Sequence, residues 1–173
     1  EMLKARNIPF ELKEGKNIFK ISAVNIMYFY MQMLVNPEMN SFRVFQLLLA
    51  KPFSINPKDY VRLSEALSKH KTFIDAIREV PREELLKPEK IENFIKIYDY
   101  LLDYKTKENI KNTVLEIGAK TGIFNHYINT DLNKTESIAG LKRLIDEATT
   151  FSDIYKTSFL EAFIEYLDIL NED

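Results

Sequence analysis

The chain has 173 residues, 46% of them apolar and 29% charged, with a net charge of −2. A chain of this length buries roughly 70% of the surface its unfolded form exposes, so it needs neither metal nor disulfide to fold. It contains no cysteine, which excludes disulfides, thiolate metal sites and cysteine nucleophiles and fits a reducing, cytoplasmic setting.

Residues 8–20 read as extended, with a turn at Glu14-Gly15-Lys16-Asn17, and are the only plausible strand material. Ser22 opens a helix that Asn36-Pro37 closes, with Val24, Met27, Tyr28, Met31 and Leu34 at helical spacing. A second helix runs over 39–49, its stripe formed by Phe42, Phe45 and Leu49, and Lys51-Pro52 ends it. Asn56-Pro57 is a helix start, a capping side chain followed by proline at the first helical position. That helix reaches about Leu67, and a short one covers 72–80.

Lys87-Pro88-Glu89 starts a long helix with Ile91, Phe94, Ile95, Tyr98, Leu101 and Leu102 inward. Residues 106–118 are helical again, with Gly118 read as a left-handed C-terminal glycine. A short element covers 121–127. Thr135-Glu136-Ser137 introduces a further helix, and the last begins near Thr157, with Phe159, Phe163, Ile164 and Leu167 inward. The expected architecture is all-α: an irregular bundle of about eight helices with a short extended N-terminal segment, forming a single domain over 1–173. No apolar run is long enough to span a bilayer, which takes about 20 residues.

The near-neutral net charge hides an asymmetry. Between Ser41 and Lys71 stand Arg43, Lys51, Lys58, Arg62, Lys69 and Lys71 against Asp59 and Glu65. From Leu144 to Asp173 there are eight acidic residues against Lys156. A split of this kind steers a polyanion to one face.

A search for chemistry finds no composed active site. A phosphate-cradling P-loop ends in Gly-Lys-Ser/Thr. Gly15-Lys16 is followed by Asn17, and Gly118-Ala119-Lys120-Thr121 carries an intervening alanine. His70 and His126 lie in separate elements without ligand spacing, the one conceivable pairing being His126 with Asp131. Glu83 and Glu84 are adjacent and share no helical face. No catalytic residue, metal ligand or cofactor site is expected within this chain.

Three stretches resemble the accessory 2B domain of superfamily 1A DNA helicases, the UvrD, Rep and PcrA group. The first is Asn7-Ile8-Pro9-Phe10 through Phe19, followed by a helix ending in Asn36-Pro37. The second is Phe42-Arg43-Val44-Phe45-Gln46-Leu47-Leu48-Leu49-Ala50-Lys51-Pro52. The third is Gly122-Ile123-Phe124, then Ser137-Ile138-Ala139-Gly140-Leu141 and the closing Phe159-Leu160-Glu161-Ala162-Phe163. After its proline the family carries Arg-Gly-Ile-Gly, a hairpin whose amides meet a duplex phosphate backbone. This chain departs there, with Phe53-Ser54-Ile55-Asn56-Pro57-Lys58 and neither glycine.

The resemblance implies a fragment of a larger chain, expected also because it opens on Glu1. Its parent would be an ATP-dependent helicase of DNA repair or replication, with ATP and magnesium bound by motor domains elsewhere in that chain. The partners implied are those motor domains and duplex or junction DNA, with no membrane. The residues implied for DNA binding are Arg43, Lys51, Ser54, Ile55, Asn56, Lys58 and Arg62, positioning phosphates rather than reading bases. Two other readings stand beside it: a free-standing helical protein-interaction module, and a ligand-sensing domain with a pocket formed by aromatics and Met27, Met31, Met33 and Met39.

Overall fold

The structure is a computed structural model that describes residues 17–38, 41–69 and 72–172, without the side chains of Ser41, Phe42, Arg43 and Phe45. Within these residues there are nine α-helices, two single-turn 3-10 helices and no strand. The helices are α1 (Ser22–Val35), α2 (Ser41–Leu49), α3 (Pro57–Leu67), α4 (Phe73–Glu79), α5 (Pro88–Tyr104), α6 (Ile110–Lys120), α7 (Ile123–Asn129), α8 (Lys134–Tyr155) and α9 (Leu160–Glu172). The fold is all-α, as the punctuation by proline and capping residues predicts.

Helix α1 is the hub. It buries Ala23, Val24, Ile26, Met27, Tyr30, Met31, Met33 and Leu34, which lie around most of its circumference. A helix apolar on nearly all sides must be covered on all sides, and α1 touches α2, α5, α6, α7, α8 and α9. The three methionines Met27, Met31 and Met33 are fully buried in this packing. They fill gaps in the core, as flexible thioethers do.

Caps account for several helix starts. The side-chain oxygens of Asn56, Thr72 and Asn109 accept from the backbone N–H groups of Lys58, Asp75 and Asn112 at 2.9, 3.1 and 2.8 Å. Each satisfies a donor that the first helical turn leaves open. At Gly140, α8 packs closely against the start of α1. A Cβ there would stand 2.7 Å from Ile21 Cδ1 and 3.0 Å from Val24 Cγ2.

The structure corrects several expectations. Of the extended segment, residues 8–16 lie outside the described residues, and Ile18–Lys20 is a 3-10 turn capped by Asn17 rather than a strand. Gly118 does not end a helix. It lies inside α6 under the ring of Phe124, and the left-handed glycine is Gly122, with φ +84°, just before α7. Thr106 and Thr135 are not helix starts: α6 begins at Ile110 behind the cap of Asn109, and α8 begins one residue earlier, at Lys134. Helix α2 buries Val44, Leu47 and Leu48, while Leu49 is 40% exposed. Phe159 precedes α9 and is 69% exposed, because the backbone turns at Lys156, with φ +54°, before the helix begins at Leu160.

Candidate functional site

The loop between α2 and α3 folds back on the helix it leaves. The Ser54 N–H donates to the Ala50 carbonyl at 2.9 Å and the Ile55 N–H to the Leu48 carbonyl at 3.0 Å. Ser54 occupies the left-handed region, φ +46°, a conformation uncommon for a residue with a side chain. The Lys51–Pro52 peptide bond is cis. Beyond the loop, Asn56 caps α3 and Pro57 takes its first position.

The first turn of α3 then reaches across to the start of α5. Asp59 is 1% exposed, and its two carboxylate oxygens accept from the backbone N–H groups of Leu86 at 2.7 Å and Lys87 at 2.9 Å. These are charge-assisted bonds, roughly twice as strong as neutral ones. They hold the two helix N-termini side by side. The Lys90 Nζ donates to the Ser54 carbonyl at 3.0 Å and ties the loop to the same junction.

Four lysines stand on the segments that meet here: Lys51 in the loop, Lys58 in the first turn of α3, Lys87 at the cap of α5 and Lys90 in its first turn. All four are exposed, and among the described residues none has a carboxylate within ion-pair distance. Asp59, the negative group nearest in sequence to Lys58, is consumed by the two amides. Glu89 is the exposed carboxylate on the first turn of α5. Helix dipoles and ammonium groups both favour an anion at such a place.

The seven residues named from sequence fare differently. Lys51 and Lys58 are exposed on the junction, and Ser54 and Asn56 are partly buried in its loop. Ile55 is 4% exposed and turned into the core, so its side chain is not on the surface. Arg62 stands one turn beyond Lys58, with Nη1 3.1 Å from Glu65 and Nε 3.8 Å from Glu84, so its charge is already answered. The Arg43 side chain lies outside the described residues, as do His70 and Lys71.

Sequence reasoning missed Lys87, Lys90 and Asp59. The helix start at Lys87-Pro88 was visible, but nothing in the sequence pairs it with Asn56-Pro57. Beside the junction lies a cavity of about 160 Å³ whose wall includes Tyr30, Phe53, Phe94 and Ile97, with Lys90 and Asn93 also lining it. No methionine lines it, and Met39 lies outside the described residues.

The Tyr30 hydroxyl is buried and has no hydrogen-bond partner among the described residues. Burial raises its pKa well above the ordinary tyrosine range, and burial likewise pushes Tyr98 up to about 12. A folded-state pKa above the unfolded value of about 10 means that the folded form keeps a proton the unfolded form sheds. The stability is complete below about pH 10 and falls as the pH rises beyond it. Tyr30→Phe removes both this loss and an unsatisfied buried hydroxyl, which costs about 1–3 kcal/mol. The variant should be more stable than the parent by about 1 kcal/mol at neutral pH, and its alkaline unfolding midpoint should lie higher. Thermal melts at neutral and alkaline pH check both, and a destabilised Tyr30→Phe would mean that the hydroxyl has a partner.

Elsewhere, His126 Nδ1 lies 2.8 Å from the Thr130 hydroxyl, and Asp131 accepts from the Ser137 hydroxyl at 2.7 Å, so the two are engaged separately. No group of three potential metal ligands comes together among the described residues. No helix among them is long and apolar enough to cross a membrane.

No family model matches the chain, and neither a curated protein nor a solved structure matches it.

Proposed function

We propose that the junction of α3 and α5 is a phosphate-contacting surface, and that the chain serves as a duplex-DNA-contacting accessory domain of an ATP-dependent DNA helicase. The observation that carries this reading is that the loop and the two helix starts joined by Asp59 carry four exposed lysines, Lys51, Lys58, Lys87 and Lys90, with no carboxylate partner among the described residues. The left-handed Ser54 adds support. It stands in the segment where the resemblance has glycine, in a conformation glycine favours. Nucleotide hydrolysis, with its ATP and magnesium, would belong to motor domains of the same parent chain. The domain's share would be to position duplex ahead of the fork through its phosphates.

Phosphate contacts weaken steeply with salt, by about 0.9 log units per contact for each log unit of salt on duplex DNA. The Lys51→Glu/Lys58→Glu double variant should lower duplex affinity on the order of 100-fold at low salt and flatten the salt slope by about two contacts. Both side chains are exposed, so the thermal midpoint should hardly move. Duplex affinity and slope unchanged in a folded double variant would overturn the assignment.

A second reading has its own observation. At the turn from α8 to α9, Ile154, Tyr155 and Phe159 are 63%, 57% and 69% exposed, beside the exposed carboxylates of Asp153 and Glu161. Such a surface suits a protein-interaction module. Its binding would change little with salt and would survive the Lys51→Glu/Lys58→Glu variant.

A further inference from the structure

We propose that the cavity beside the lysine cluster receives one unstacked pyrimidine base, from a nucleotide whose phosphate lies over Lys90. The phosphate part of this proposal rests on the reading of the junction given above; the base part rests on the cavity alone.

The volume limits the occupant. At about 160 Å³ the space is close in size to an engineered cavity of about 150 Å³ that binds benzene, so a single six-membered ring fills it and part of a fused pair would project past the exposed Lys90 and Asn93. The walls favour a flat aromatic occupant. Phe53 and Phe94 meet edge to face at 5.7 Å and 73°, and Phe53 stacks on Tyr30 at 5.9 Å and 8°. Phe53 is only partly buried, so it can offer ring surface to an incoming base, and bases stack on aromatic side chains whatever their sequence.

Polar groups around the same cavity decide against a plain hydrocarbon. Asn93 is exposed on α5 and lines the cavity. Its amide carries both a donor and an acceptor, which match the paired acceptor and donor on the edge of a pyrimidine. Unstacked bases are commonly recognised in this way, by a ring beneath and an amide at the edge. Lys90 also lines the cavity, and its bond to the Ser54 carbonyl holds the ammonium there. It belongs both to the cavity and to the lysine cluster, so ring and phosphate would be held on one continuous surface.

The ligand chemistry could come from an unpaired base in a DNA strand or from a free nucleotide. Fluorescence anisotropy with the whole chain separates them. The probes are oligothymidylate, oligodeoxyadenylate, an abasic strand of equal length, a blunt duplex, and thymidine monophosphate as a free ligand. The expected result is oligothymidylate binding about tenfold tighter than the abasic strand, as stacking of a base would give, and tighter than the adenine strand, whose fused ring exceeds the cavity. Asn93→Ala and Phe53→Leu should each bring the strands to parity and leave duplex binding unchanged. Asn93 is a solvent-exposed helix position, so its variant keeps the test valid should Phe53→Leu fold poorly.

Equal binding of all three strands with duplex binding intact would overturn the base site alone. A thymine preference that survives both variants would also overturn it. Saturable thymidine monophosphate binding, lost in Asn93→Ala while no DNA binds, would keep the base site with a free nucleotide as its ligand and overturn the duplex reading. No binding of any probe would overturn both.

Discussion

Replacing Phe94 by alanine should destabilise the protein by about 3–5 kcal/mol, the usual cost of removing a buried phenyl ring. Phe94 is 4% exposed. Its ring lies 6.3 Å from Tyr30, 5.7 Å from Phe53, 6.1 Å from Phe73 and 6.5 Å from Tyr98, measured between centroids. It therefore joins α1, the α2–α3 loop, α4 and α5 in a single aromatic cluster. The surrounding rings are rigid and cannot collapse into the vacated space. The void would merge with the 160 Å³ cavity already present. Phe94→Leu, which restores most of the volume, should recover more than half of the loss. Urea titration measures both. A cost below about 1 kcal/mol for Phe94→Ala would show that the cluster is loosely packed.

Asp59→Ala should cost about 2–3 kcal/mol and weaken duplex binding without altering any lysine. Two backbone N–H groups would lose their acceptor, each worth about 1–3 kcal/mol when buried and less here because Leu86 and Lys87 are exposed. Asn is the informative substitution. Its carbonyl oxygen accepts from one amide, but its NH2 group faces the other, donor against donor. Asp59→Asn should therefore recover at most half of the stability. Thermal melts of the two variants, with anisotropy on duplex, check the pair of effects. Full stability in Asp59→Asn would mean that the carboxylate is not the clamp between α3 and α5. Duplex affinity unchanged in a folded Asp59→Ala would separate the clamp from the binding surface.

Much of the secondary structure was legible because it is locally encoded. Asn56-Pro57 starts a helix through a side-chain acceptor and a fixed φ that act within one turn, and Lys87-Pro88 through the fixed φ of its proline alone. Asn36-Pro37 and Lys51-Pro52 end helices for an equally local reason. The inward positions of α5 follow from their 3.6-residue period, and Ile91, Phe94, Tyr98 and Leu101 are indeed buried. The period was less reliable at helix ends. Phe159 sits on the extrapolated stripe of α9, but the chain has not yet entered the helix there.

The candidate site was half legible. Lys51 and Lys58 stand out in a basic stretch, and both are exposed. Arg62 looked equivalent, but Glu84 approaches it from another element and answers its charge. Ile55 looked like a loop residue, yet its amide bond to Leu48 sets the backbone so that the side chain faces inward.

The sequence by itself determined the all-α class, the helix starts at proline and the absence of cysteine chemistry, because each depends on neighbours within a few residues or on composition alone. Only the tertiary structure decided that α3 and α5 begin side by side. That arrangement depends on Asp59 meeting the amides of Leu86 and Lys87 across 27 and 28 positions of chain. A carboxylate in a helix's first turn reads in sequence as a favourable charge for its own helix. Its burial against another helix start, which joins the segments that carry Lys51, Lys58, Lys87 and Lys90, is a property of the packed core.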